Sequence, residues 1–238
     1  MKKYKVPTKR QPFFPFVKKI LKVFYKKPKI INNAGAIDDK SIIVCNHNAK
    51  KGPVYLSLYF PKDLAIWGAH EMLGNYKSRF KYLRDIFYVK KRKFNKFWAT
   101  ILAAFEAVFS PLFYKGLRVL PTFQDVRILK TFNMSDESLK NGLSVLIFPE
   151  DSDDGYLDVL TSFHEGFIVY ALAHYKRTGE DLPVYPSYYN LKTRRLVIDK
   201  PYYVNEMLKS GMSKEQIAEL VKDKINTLRE EYTLNENN

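Results

Sequence analysis

The sequence predicts a single α/β domain, a mixed central sheet flanked by helices. Three observations carry that reading. Strand and helix signals alternate along the chain, the pattern of a sheet covered on both faces. Leu143 to Phe148 is nearly continuous in apolar residues, as a strand buried on both sides should be, and Pro149 ends it. The 238 residues are 46 % hydrophobic, enough for one core of ordinary size, and no Gly/Ser-rich or Pro-rich linker divides them.

In chain order, the first element is basic. Residues 1 to 30 hold ten Lys, one Arg and no acid, most of a formal net charge of +15. Pro12 and Pro15 bracket Phe13 and Phe14. From Phe16 to Phe24 the apolar positions 16, 17, 20, 21, 23 and 24 form one helical face, and Lys18, Lys19, Lys22 and Lys26 form the rest. Such a helix can lie in a headgroup layer, or pack on its own domain with solvated lysines. Residues 1–29 are therefore read as a basic amphipathic arm. It would touch a membrane through Phe13, Phe14, Phe16, Lys18, Lys19, Lys22 and Phe24. Residues 30–234 are read as the α/β domain. Lysines 18, 19 and 22 break the apolar run and exclude a secretory signal core.

Residues 30 to 40 read as a turn region. Ser41 to Cys45 reads as a strand with a small buried cysteine. It hands over to Asn46-His47-Asn48-Ala49-Lys50-Lys51-Gly52-Pro53, and Pro53 opens a helix over Val54 to Phe60. His47 thus stands at a strand-to-helix junction, a frequent ligand position in α/β folds. Leu64 to Trp67 is a second strand, and residues 70 to 96 hold helices without clear bounds. Phe97 to Phe113 contains Glu106 and Pro111 and is shorter than the roughly 20 residues of a span, so it reads as a buried or interfacial helix. Leu117 to Leu120 reads as a strand. Asp125 to Phe132 and Asp136 to Lys140 read as helical, stopped at Gly142. Phe163 to His174 reads as a helix, with His164 and His174 at the core edge. Leu182 to Pro186 is a short strand limited by prolines, and Arg195 to Ile198 is another. Ser213 and Gln216 form a capping box for an amphipathic terminal helix.

Several short stretches stand in a fixed order along the chain. Asn46-His47 comes first. Gly116-Leu117-Arg118-Val119-Leu120-Pro121-Thr122 follows, then Phe148-Pro149-Glu150-Asp151-Ser152. Phe163-His164-Glu165-Gly166 and Leu182-Pro183-Val184-Tyr185-Pro186 complete the set. In this order and spacing the chain resembles the glycerophospholipid acyltransferase family, over roughly residues 40 to 230. That family moves a fatty acyl group from a thioester carrier to a glycerol-phosphate hydroxyl. The resemblance implies an acyltransferase-like fold, His47 as general base, and Glu150 beside the acceptor. It implies substrate contacts at Asn46, Lys50, Lys51, Gly52, Lys115, Arg118, Phe148, Pro149 and Ser152. It further implies acyl-CoA or acyl carrier protein as co-substrate, no bound cofactor or metal, and a peripheral place on the cytoplasmic side of a membrane.

The departures are as informative as the matches. Gly52 occupies the position of the family's histidine-pairing Asp, Thr122 that of an Arg, Asp151 that of a Gly, and Asp153 that of a second Arg. A histidine can take the alcohol's proton at neutral pH, but a carboxylate usually orients its other nitrogen. The candidates for that role are Glu71, Asp63 and Glu150, or a backbone carbonyl or water. Activity and an inactive, lipid-binding relative both remain open. A divalent cation at the acidic loop 150–154 is the alternative to a solvated loop. The basic, aromatic-rich composition alone also suits a polyanion such as nucleic acid. The chain has no zinc pattern or RNA motif, and its lysines alternate with aliphatic residues in helical phase, which favours an anionic membrane surface.

Overall fold

The structure is a computed structural model and describes residues 4–11, 14–150 and 156–233. Phe13 and Ser152, and with them Pro12 and the acidic run Asp151 to Asp154, lie outside the described residues. Among the described residues, eight strands form one mixed sheet. They are β1 (Lys29–Asn32), β2 (Ile42–Cys45), β3 (Leu64–Ala69), β4 (Val119–Thr122), β5 (Ser144–Ile147), β6 (Pro183–Asn190), β7 (Arg195–Ile198) and β8 (Tyr202–Tyr203). The order is β1-β7-β6-β2-β5-β3-β4, with β8 on β6. Pairings are parallel except β6 with β7 and β6 with β8.

The described residues include eight α-helices that cover the sheet: α1 (Phe14–Phe24), α2 (Lys51–Tyr59), α3 (Tyr76–Lys81), α4 (Lys96–Gly116), α5 (Ile128–Lys140), α6 (Gly166–Thr178), α7 (Val204–Lys209) and α8 (Lys214–Thr233). A 3-10 turn (His70–Leu73) precedes α3, and a π-helical stretch (Tyr82–Lys91) follows it. The core divides by strand parity. Ile42, Val44, Val145 and Ile147 face one layer with α5, α6 and α8, while Ile43, Cys45 and Leu146 face the other with α1 and α2. Alternation of side chains across a strand produces this division. A third cluster joins Met72, Leu83 and Phe87 to Ala99, Ala103 and Ala107 of α4.

Several boundaries differ from expectation. Residues 29–32 form a strand, because β1 pairs in parallel with β7. The third strand reaches Ala69. The fourth starts at Val119, since Arg118 has φ +57°, and it runs through Pro121. Residues 128–140 make one helix instead of two. α6 begins at Gly166, so His164 is exposed and precedes the helix, whereas His174 is buried against Asp136 at 2.8 Å. β6 runs through Pro186 to Asn190: the proline supplies only its carbonyl, which accepts from the Asp199 amide at 3.0 Å. The capping box forms, with the Ser213 and Gln216 amides bonded reciprocally at 2.7 and 3.2 Å.

The basic N-terminal segment is stitched to the domain. The Gln11 amide donates to the Gly116 carbonyl at 2.7 Å, and Arg118 donates to the carbonyls of Thr8 and Lys9 at 3.0 and 2.8 Å. α1 has two apolar sides. Phe14, Val17 and Leu21 pack inward, while Phe16, Ile20, Val23 and Phe24 are exposed. Phe14 and Lys18 therefore do not face outward as expected of lipid-contacting groups. The Phe14 ring lies on Gly116, and Lys18 donates to the Ser57 carbonyl at 3.0 Å, with burial lowering its pKa.

Candidate active site

β2 and β5 are parallel neighbours, so the loops leaving their carboxyl ends lie side by side. His47 leaves one and Phe148 to Glu150 leave the other. The His47 amide donates to Glu150 Oε1 at 3.0 Å. The His47 ring packs on Phe148, centroid to centroid 4.6 Å, and on Tyr156 at 5.0 Å. Asn48 and Ala49 follow with φ of +49° and +53°, so the chain turns sharply through two left-handed residues before α2. For alanine that conformation is strained, and such strain gathers at functional sites.

The ring lines an apolar cavity of about 520 Å³, within the range of ligand pockets. Its walls come from the carboxyl end of β3, the π-helical stretch and α4. Leu83, Phe87, Leu102, Phe105, Phe109 and Phe113 supply much of the apolar lining, and Tyr82, Tyr114 and Tyr156 bring hydroxyls. The only acid of α4, Glu106, also lines it. Glu106 pairs with Lys50 and accepts from the Tyr88 hydroxyl at 2.7 Å. Lys50 Nζ also meets that hydroxyl at 3.0 Å and stands 4.4 Å from the Phe87 ring centre.

Burial, then the nearby Lys91 charge, pulls the His47 pKa down to about 4. Its Nδ1 is buried and has no hydrogen-bond partner among the described residues. Burial pushes Glu150 up to about 7, partly opposed by the bond from the His47 amide. At neutral pH the imidazole is uncharged and able to take a proton, but it is a weak base.

No protein-family model and no curated protein matches the sequence. A solved structure does. The crystal structure of the 1-acyl-sn-glycerophosphate (LPA) acyltransferase PlsC from Thermotoga maritima aligns with a TM-score of 0.53 at 15 % identity, over 92 % of this chain and 77 % of that one. The fold is that of a glycerophospholipid acyltransferase.

Within this acyltransferase fold the expected site residues divide. His47, Lys50 and Phe148 line the cavity, and Glu150 adjoins it through the His47 amide. Asn46 does not face a substrate: its side chain donates to the Tyr189 carbonyl at 3.1 Å and accepts from the Tyr189 amide at 2.8 Å, clamping β2 to β6. Arg118 is turned away from the cavity, its buried guanidinium held by Asp63 at 2.7 Å and by the N-terminal carbonyls. Lys115 and Lys51 are exposed and outside the lining. Pro149 holds the loop, its carbonyl accepting from the His164 amide at 2.7 Å.

The three candidate carboxylates for the His47 ring are placed elsewhere. Asp63 pairs with Arg118, Glu71 with His70 at 3.2 Å, and Glu150 holds the backbone of His47. Gly52 has a structural cause. A Cβ there would sit 2.0 Å from the His47 carbonyl oxygen, so the first turn of α2 closes over His47 only because residue 52 has no side chain. Sequence reasoning missed Tyr156, Tyr88 and the partnership of Glu106 with Lys50. A lone acid in the apolar run of α4 was the one signal available for the last of these.

Proposed function

We propose that this chain is an acyltransferase that moves a fatty acyl group from a thioester, acyl-CoA or acyl carrier protein, to the hydroxyl of a lysophospholipid or glycerol-phosphate-like lipid. The observation that carries the reading is the position of His47, whose imidazole lines an apolar cavity of about 520 Å³. In the step proposed, the hydroxyl oxygen attacks the thioester carbonyl while His47 takes its proton. Loop amides after His47 stabilise the oxyanion. The C–S bond then breaks, and the thiolate leaves with the proton returned by the imidazolium. Glu150 acts by holding the His47 amide, as a positioning residue. Lys50 meets the acceptor's anionic group by exchanging its Glu106 partner. Peripheral contact with an anionic membrane, including the basic arm of residues 1–29, brings the lipid substrate to the cavity.

The His47 Nδ1, unpartnered among the described residues, favours a second reading, a lipid-binding protein of the same fold without turnover. One experiment separates them. The purified full chain is assayed with acyl-CoA and acyl carrier protein donors against a panel of lysolipid acceptors, beside His47→Ala. Acyl transfer should fall at least about a hundredfold in the variant, the low end for loss of a general base. Wild-type binding of fatty acyl ligand with no transfer to any acceptor selects the second reading. Equal turnover by wild type and His47→Ala removes the mechanism.

A further inference from the structure

α4 presents a broad exposed apolar face among the described residues. Phe97, Trp98, Ile101, Val108, Phe109 and Leu112 all stand open to solvent, Leu112 with 78 % of its surface exposed. Patches of this breadth on a monomer mark an interaction site. The opposite face is packed: Ala99, Ala103, Ala107 and Ser110 are buried, the alanines with Leu83 and Phe87. Those small residues let the helix lie close along the body. At about 1.5 Å per residue its 21 residues are long enough to cross a bilayer. A helix fixed along its length to a folded body, with Glu106 paired to Lys50 midway, lies along the surface instead.

Charge says what covers that face. Arg92, Lys93 and Lys96 are exposed at its amino end and Lys115 at its carboxyl end, with the exposed Phe94 and Trp98 among the first group. α1 meets α4 where Phe14 lies on Gly116, and it adds exposed Phe16 and Phe24 beside Lys19 and Lys22. Apolar side chains ringed by cations and aromatics match an anionic lipid surface, with the side chains in the acyl boundary and the cations at phosphate.

We propose that α4 is an in-plane membrane-docking helix, half-immersed in one leaflet, with α1 as a smaller second contact. The principal contact is thus residues 96–116 instead of the arm of residues 1–29. Leu102, Phe105 and Phe109 are exposed and also line the cavity, so the rim of the cavity lies on the docked face. Lipid then enters sideways from the leaflet without crossing water. This proposal rests on the anionic-membrane contact of the acyl-transfer reading, not on its chemistry, and it is tested without turnover.

The full chain is mixed with vesicles of phosphatidylcholine and phosphatidylglycerol, some carrying bromine at set depths. Trp98 is exposed and Trp67 is buried, so quenching reports on Trp98, with Trp98→Phe as the control. Binding that weakens with salt, and quenching strongest for shallow bromines, are expected. Val108 and Leu112 lie outside the cavity lining, and Val108→Glu/Leu112→Glu should cut partition at least about a hundredfold, since each buried side chain is worth more than tenfold. Its circular dichroism should match wild type. Three results would overturn the proposal. They are unchanged partition of the double variant, strongest quenching from the bilayer centre, and a wild-type dimer in water that binds no vesicles but is broken by Leu112→Glu.

Discussion

Gly52 shows how far a single position can mislead when read as a letter. In the sequence it is a lost aspartate. In the fold it is the one residue type that lets the turn of α2 pass over the His47 carbonyl. Gly52→Asp should therefore not rebuild a carboxylate–imidazole pair. It should displace the loop, lower stability by about 1–3 kcal/mol as overpacking does, and bring no gain in acyl transfer. Thermal unfolding and a turnover assay on the same preparation check both parts. Arg118 and Asn46 teach the same lesson. Their polar groups suit a substrate, and each is already occupied by backbone that is distant in sequence.

At the scale of elements, α4 depends on a repair. Pro111 lacks an N–H, so the Ala107 carbonyl loses its helical donor. Arg79 of α3, itself buried, fills the gap by donating Nε to that carbonyl at 2.9 Å. Arg79→Met should cost about 1–3 kcal/mol, the penalty of an unsatisfied buried carbonyl. Pro111→Ala restores the amide, so the double variant should recover much of the loss, and a double-mutant cycle of denaturant midpoints measures the coupling. An uncoupled pair, each cost simply adding, would refute the repair. The π-helical stretch belongs to the same device: with α3 it supports α4 and lines the cavity, and π-helical turns cluster at functional sites.

For the whole molecule, His47 and Glu150 set opposing pH dependences of folding. His47 titrates near 4 when folded against 6.5 when free, so the unfolded chain binds more protons between those values. Its contribution is present above 6.5 and is lost as pH falls through 4. Glu150 titrates near 7 when folded against 4.5 when free, so the folded chain binds more protons between those values. That contribution is present below 4.5 and is lost as pH rises through 7. Each amounts to about 3 kcal/mol, and between about pH 4.5 and 6.5 they largely cancel. Glu150→Gln keeps an acceptor for the His47 amide and removes one slope. Its stability should rise steeply from pH 4.5 to 6.5 where wild type is nearly flat, as urea unfolding at stepped pH would show. A flat profile for the variant contradicts this balance.

Local signals sufficed where neighbours in the chain decide the outcome. The apolar runs at 42–45 and 144–147, the capping box at Ser213, and the placing of His47 and Glu150 after two strands were all legible. The family resemblance of the short motifs, not these local signals, implied the acyltransferase-like fold. What the tertiary structure decided was reach. Lys29 to Asn32 is a strand only because β7 lies beside it, and Pro186 sits inside β6 only because Asp199 needs its carbonyl alone. The apolar run of α4 carries the same letters whether it is buried or open. Its small residues happen to meet the π-helical stretch, which leaves the large ones outside. Residue type sets which bonds a side chain can make, but the fold sets which partner is near enough to make them, as across the 166 residues from Lys29 to Arg195.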